Sequence, residues 1–169
     1  MLRGLFSRKK QQQEVTLLAP LTGAVVALTE VPDPVFAQKV VGDGAAIIPT
    51  EGVLVSPLAG SVTHLFPTHH AIALTSESGL EILLHIGIDT VKLKGEGFTP
   101  HVKAGDQVKP GDKLISFDLD VLQKAGCPIV TPVVITNGDL VAEKKVVSTG
   151  SVRAGQEPLM QVIVKGGAS

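Results

Sequence analysis

Three histidines flank two apolar runs in one short stretch of the chain: Phe66-Pro67-Thr68-His69-His70-Ala71-Ile72-Ala73-Leu74-Thr75, and Leu80-Glu81-Ile82-Leu83-Leu84-His85-Ile86-Gly87. A neutral imidazole nitrogen is a good nucleophile near pH 7, because its unperturbed pKa is about 6.5. Attack on phosphorus would give a phosphohistidine, a covalent intermediate. The transition state spreads negative charge over its equatorial oxygens, which the N–H of a second imidazole can stabilise. A hydroxyl such as Thr68 can fix that second ring's tautomer. This chemistry needs no metal and no cofactor. The plain alternative is a set of solvated surface histidines.

To work together the rings must meet, and a hairpin is the simplest device. Ser76-Glu77-Ser78-Gly79 separates the two runs, a four-residue loop if Thr75 faces Leu80. That register sets His70 across from His85, with Ile72, Leu74, Leu83 and Glu81 on their surface. Ala71, Ala73, Thr75, Leu80, Ile82, Leu84 and Ile86 then form the core face. A three-residue turn would instead set His69 across from His85. Spacing alone leaves both open. Directly opposed residues have Cβ atoms about 4.5–5.5 Å apart, close enough for two imidazoles to cooperate. The glycine-rich stretch after His85 adds Gly87, which permits close approach of another backbone, and Asp89 beside the site.

The rest of the chain reads as a β scaffold. Runs rich in Val, Ile and Leu recur at Val15–Ala19, Ala24–Leu28, Ala45–Pro49, Gly52–Val55, Ser61–Phe66, His70–Thr75, Leu80–Ile86, Lys113–Asp118, Ile129–Thr136 and Leu159–Val164. Pro-Leu-x-Gly, Gly-Asp-Gly and Pro-Gly-Asp turns separate them. One segment, Asp118–Ala125, has helix signals: Asp118 or Asp120 as cap, Leu119 and Leu122 as apolar face, Gly126 as stop. The pattern predicts an all-β protein, an antiparallel β-sandwich or flattened barrel with one or two short helices. Internal duplication is visible too. Pro20-Leu21-Thr22-Gly23-Ala24-Val25-Val26-Ala27-Leu28 aligns with Pro57-Leu58-Ala59-Gly60-Ser61-Val62-Thr63-His64-Leu65, and Val102-Lys103-Ala104-Gly105 with Val152-Arg153-Ala154-Gly155.

Composition narrows the partners. With 169 residues, 44% of them hydrophobic, the chain suits one domain, expected over 15–169 behind a flexible basic leader at 1–14. A net charge of −1 and the lack of Trp and Tyr argue against nucleic acid as partner. No apolar stretch is long enough to cross a bilayer or to act as a secretory signal, so the reading is cytoplasmic. Arg3, Arg8, Lys9 and Lys10, with Leu2, Leu5 and Phe6 interleaved, allow at most weak membrane association through residues 1–10. Cys127 stands alone, so no intrachain disulfide forms.

Several stretches together resemble a known family: APLTG, EVPDPVFAQKVVGDGAAI, VSPLAGSV, FPTHHAIAL, LLHIGIDTVKLKGEGF, VKAGDQVKPGDKL and TPVVITN, spread over about Val15 to Val164. The chain resembles the glucose-type enzyme IIA of the bacterial phosphoenolpyruvate-dependent sugar phosphotransferase system. The resemblance implies a phosphohistidine-forming phosphoryl carrier that accepts phosphate from phospho-HPr and passes it to the IIB domain of a sugar permease. It implies His85 as the phosphorylated nucleophile, His70 as the supporting histidine and Thr68 as the residue orienting it. It thereby favours the register that pairs His70 with His85. It also implies an antiparallel sandwich whose shallow site is ringed by Val35, Phe36, Val40, Val41, Phe66, Ile86 and Val91, with Asp33 and Asp89 at the edge to hold basic residues of a partner. Such a ring would dock carrier proteins and keep water from the phosphohistidine. Pro34 and His69 depart from residue types found in other members.

Two rivals come from other classes. A zinc-dependent hydrolase could use His69, His70 and His85 with Asp89 or Glu81, although no His-Glu-x-x-His motif is present. A regulatory zinc bridging His70 and His85 to a partner's carboxylate is a separate use of the pair. A lipoyl- or biotinyl-type carrier is suggested by the turns of Val102–Asp112, but no lysine at a hairpin tip is flanked by methionine.

Overall fold

The computed structural model describes residues 12–166. The basic stretch 1–10, and with it the membrane-association reading, lies outside the described residues. Gln13 and Glu14, expected in the leader, are the first residues of strand β1.

Among the described residues, fourteen strands form three antiparallel sheets. The largest has eight strands in the order β13 (Gly150–Val152), β2 (Gly23–Ala27), β3 (Asp43–Pro49), β11 (Thr131–Ile135), β7 (Glu81–His85), β6 (Ala71–Ser76), β5 (Gly60–Leu65) and β9 (Gln107–Val108). Two three-stranded sheets pack with it: β1 (Gln13–Leu18), β14 (Pro158–Val164) and β12 (Val141–Val146), and β4 (Val53–Val55), β10 (Lys113–Phe117) and β8 (Phe98–Pro100). The described residues also contain two short α-helices, α1 (Pro34–Ala37) and α2 (Leu119–Lys124). Asp118 caps α2 by accepting from Asp120 N and Val121 N, and Gly126, at φ +78°, follows its end. The fold is the expected antiparallel sandwich.

Side-chain alternation divides the interior into two. Ile47, Val133 and Ile135 face a large core shared with Leu17, Leu54, Leu114, Met160 and Val162 of the smaller sheets. Their neighbours Ala46 and Val134 point to the other side, where Leu28, Val31, Phe36, Ile88 and Val130 cover them. β11 is therefore buried along its whole length, which suits a run as apolar as Thr131-Pro132-Val133-Val134-Ile135. The second cluster roots α1 on the outer face of the large sheet. The histidines lie on that face.

The duplication is a real pseudo-symmetry. Leu18 N donates to Pro57 O and Val55 N donates to Pro20 O, both at 2.9 Å, so each half makes the reciprocal bond. Gly23 pairs with Val152 in β13 as Gly60 pairs with Val108 in β9. The structural counterpart of Val152-Arg153-Ala154-Gly155 is consequently Val108-Lys109-Pro110-Gly111, not Val102–Gly105. Gly155 N and Gly111 N confirm this pairing, donating at 2.8 Å to Ala19 O and Ser56 O respectively.

Candidate functional site

The hairpin forms, but in neither of the registers read from the sequence. Thr75 pairs with Glu81 and Ala71 with His85. The loop is three residues, Glu77-Ser78-Gly79, closed by Ser76 N to Leu80 O at 2.9 Å, with Gly79 left-handed at φ +92°. Ser76 Oγ also accepts from Leu80 N at 3.0 Å, so the serine is held as a strand residue rather than as loop. One step of register changes which face each side chain of β6 takes. Ile72 and Leu74 enter the core with Ile82 and Leu84, while Ala71, Ala73 and Thr75 lie outside with Leu83 and His85.

Strict alternation would now bury His70 in the core, away from His85. A break in the backbone just before the strand prevents this. His69 adopts φ +60°, its N–H bonds to Phe66 O at 2.7 Å, and Phe66 N bonds to Ala71 O at 3.1 Å. The tight turn leaves His70 outside the ladder, with its carbonyl accepting from Ile86 N at 2.8 Å. Its ring then meets that of His85 edge to face, with centroids 4.9 Å apart and planes at 83°.

Each ring has a defined polar partner. His85 Nδ1 lies 2.7 Å from the carbonyl oxygen of Gly87. A carbonyl only accepts, so Nδ1 carries the proton and the lone pair is on Nε2. Thr68 Oγ1 is hydrogen-bonded to His70 Nδ1. With the hydroxyl donating, the proton of a neutral His70 is on Nε2. Burial, then the neighbouring His85, pushes the His70 pKa down to about 4. Burial also lowers that of His85, against the opposing pull of the Gly87 carbonyl, Asp33 and Asp89. Both rings are neutral at pH 7.

The support for His85 comes from far along the chain. Gly87 sits at φ +68°, and a Cβ there would lie 2.8 Å from Thr90 Cγ2 and 2.9 Å from Pro128 O. Ile88 N bonds to Pro128 O at 2.9 Å, and buried Thr90 donates to Ile86 O at 2.6 Å. The Gly87 carbonyl carries no side-chain signature and Thr90 stands in no recognisable motif, so neither is marked for this role by the sequence. Phe36 packs on the other side of His85, with centroids 5.0 Å apart. Phe66 stands 5.6 Å from His70 and is itself flanked by His64 at 4.6 Å.

The expected apolar ring divides in two. Val35, Val40 and Val91 are exposed at 43%, 70% and 54%, and Val41 and Phe66 are partly so. Phe36 and Ile86 are buried, at 4% and 0% exposure. Ile86 cannot touch a docked protein, because alternation along β7 sends it into the core. Asp33 serves first as the cap of α1, accepting from Val35 N at 3.0 Å, whereas Asp89 is exposed in a left-handed turn.

A family model described as the phosphoenolpyruvate-dependent sugar phosphotransferase system, EIIA 1, matches residues 15–141. The chain belongs to this family. Its relatives include the PTS system glucose-specific EIIA component of Oceanobacillus iheyensis, 48% identical over 96% of this chain and 99% of that one. The protein of the same description from Staphylococcus aureus is 44% identical over 96% and 98%. Among solved structures, glucose permease IIA from Mycoplasma capricolum superposes with a TM-score of 0.79 at 37% identity, covering 88% of this chain and 96% of that one. This EIIA chain is thus a phosphoryl carrier of the sugar phosphotransferase system, a system in which EIIA components work with HPr and a IIB or permease component. The zinc-hydrolase reading finds no support. Among the described residues no group of three or more His, Cys, Asp or Glu side chains is arranged to hold a metal ion. Nor is any helix among them long and apolar enough to cross a membrane.

Proposed function

We propose that His85 is the phosphoryl-carrying residue and that Nε2 is the atom that carries the group. The observation behind this reading is the 2.7 Å contact from Nδ1 to the Gly87 carbonyl, which leaves Nε2 as the free lone pair beside His70. In the first transfer the Nε2 lone pair attacks the phosphorus of phospho-HPr in line. The P–N bond to the HPr histidine breaks as the new P–N bond forms, and the departing imidazole keeps the electron pair. His70, with its proton on Nε2, donates to the phosphoryl oxygens as their charge spreads. Positive charge developing on the His85 ring strengthens its bond to Gly87 O and is favoured by Asp33 and Asp89. In the second transfer a thiolate of a IIB domain attacks, a P–S bond replaces the P–N bond, and His85 returns to neutral.

Thr68 acts through His70 as a positioning residue. Val35, Val40, Val41, Phe66 and Val91 form the surface on which HPr and the IIB domain dock in turn, and Phe36 backs the His85 ring from beneath. Asp33 and Asp89 attract basic residues of the partner, an effect on encounter rate more than on affinity. No cofactor takes part. A zinc ion at His70 and His85 would need further ligands from a partner.

Incubation with phosphoenolpyruvate, enzyme I and HPr tests the assignment. Acid-labile, base-stable phosphate is expected on His85 and absent from His85→Ala. Phosphate on His69 or His101 with His85 unmodified would overturn it.

A further inference from the structure

We propose that the groove where β12 diverges from β2 and β3 binds a small organic monoanion with an apolar body, a short-chain carboxylate of about six carbons. The sandwich is not closed there. A cavity of about 340 Å³ opens between the large sheet and β12, of a size that suits a small ligand. Val25, Val26, Ala27, Leu28, Ala45 and Val146 make its apolar walls, and the hydroxyls of Thr29, Ser148 and Thr149 line the rest. Val25 and Val146 pack on the main core and Ala45 belongs to it, whereas Leu28 and Val26 belong with the second cluster, so the cavity lies where the two meet.

One end is charged. Lys144 Nζ lies 2.8 Å from Asp43 Oδ2, and Lys39 Nζ lies 3.5 Å from Asp43 Oδ1. Gly44 N also donates to Oδ1 at 2.8 Å, which fixes the carboxylate. Two ammonium groups therefore share one carboxylate, leaving one net positive charge at the end of the groove. A single carboxylate placed against Lys39 and Lys144 completes the balance. A cation is repelled, and an apolar chain on the carboxylate can lie along the valine, leucine and alanine side of the groove.

The backbone at Lys39 points the same way. Lys39 N bonds to Phe36 O and Val40 N to Val35 O, the paired bonds that end a helix through a left-handed residue. Glycine normally fills that position, because a side chain there is strained. Here a lysine fills it at φ +61°, and its ammonium reaches the groove. The position is occupied at a conformational cost, and the salt bridge it gains is half-exposed and weak. An anion in the groove gives the ammonium a second partner.

NMR titration of the full chain tests the site, following backbone amides with hexanoate, hexan-1-ol, hexylammonium and inorganic phosphate as probes. Hexanoate is expected to give saturable shifts at residues 25–29, 39–45 and 144–149. Hexan-1-ol should bind about tenfold more weakly, as expected from loss of a charge-assisted contact. Hexylammonium should not shift these residues. Lys39→Gly, which keeps the left-handed turn and removes the ammonium, and Lys144→Met should each weaken hexanoate severalfold. Equal binding of acid and alcohol, equal shifts with phosphate, shifts confined to His70 and His85, or unchanged affinity in the folded Lys39→Gly protein would each overturn the proposal.

Discussion

The imidazoles of His70 and His85 meet edge to face at 4.9 Å although the two residues are not cross-strand partners: Ala71 occupies the place opposite His85. The pair exists because the chain turns at left-handed His69 before entering β6. His70 is thus held by a turn and His85 by a strand, and their partners are correspondingly different. A carbonyl fixes His85 and a threonine hydroxyl orients His70.

That division of labour predicts different defects from the two histidines. His85→Ala should accept no phosphate. His70→Gln should still be loaded, since the nucleophile is intact, but should pass phosphate on to the IIB domain more slowly. Single-turnover measurement of the two steps separates these outcomes. Loss of loading in His70→Gln together with labelling of His85→Ala would invert the roles.

The role proposed for Thr68 runs through the tautomer of His70. Thr68→Val should slow onward transfer by roughly fivefold, as loss of a hydrogen bond of about 1 kcal/mol implies. Thr68→Ser, which keeps the hydroxyl, should restore the rate. A merely structural threonine would be rescued by valine, whose shape is closer.

The lowered histidine pKa values set a direction for stability. A His70 whose pKa falls from 6.5 to about 4 on folding binds fewer protons in the native state than in the unfolded chain between those values. Stability should therefore rise with pH through this window. Above pH 6.5 the ring is neutral in both states and contributes nothing; as the pH falls toward 4 the penalty grows to at most about 3 kcal/mol. Urea unfolding of the wild type and His70→Gln at several pH values measures it, with the smaller pH slope expected in the variant. Because the His85 pKa also lies below 6.5, its nucleophilicity should decline only below that pH.

Gly87→Ala should damage both fold and site. The left-handed backbone and the contacts at 2.8 and 2.9 Å leave no room for a methyl group. A loss of about 2–4 kcal/mol is expected from strain and overpacking. The carbonyl that holds His85 would shift with the backbone. Thermal unfolding and the loading rate at a temperature where the variant remains folded should both fall.

The proposed docking surface is separable from stability. Val40 is 70% exposed, so Val40→Glu should leave stability within about 0.5 kcal/mol. It should raise the KM for phospho-HPr, because it puts a charge on an apolar contact surface. An unchanged KM would remove Val40 from that surface.

What the amino-acid sequence determined by itself were features that local chemistry controls. The apolar runs marked most of the strands, Asp118 and Gly126 bounded α2, and the repeated Pro-Leu-x-Gly marked the duplication. The four strands that escaped it, β8, β9, β12 and β13, all lie at sheet edges. An edge strand pairs on one side only and keeps charges such as Glu143, Lys144 and Lys145, so its apolar signal is weak. α1 has only four residues, too few for periodicity to show, and its cap Asp33 is identified by the structure alone. The tertiary structure decided the register, because a loop of three or four residues is set by how Ser76 and Leu80 bond and not by their identities. It also decided which atom of His85 is free, since that depends on a backbone carbonyl, a group every residue has. The segment carrying that carbonyl is held locally by Thr90 on Ile86 O and, across the fold, by Pro128 O on Ile88 N.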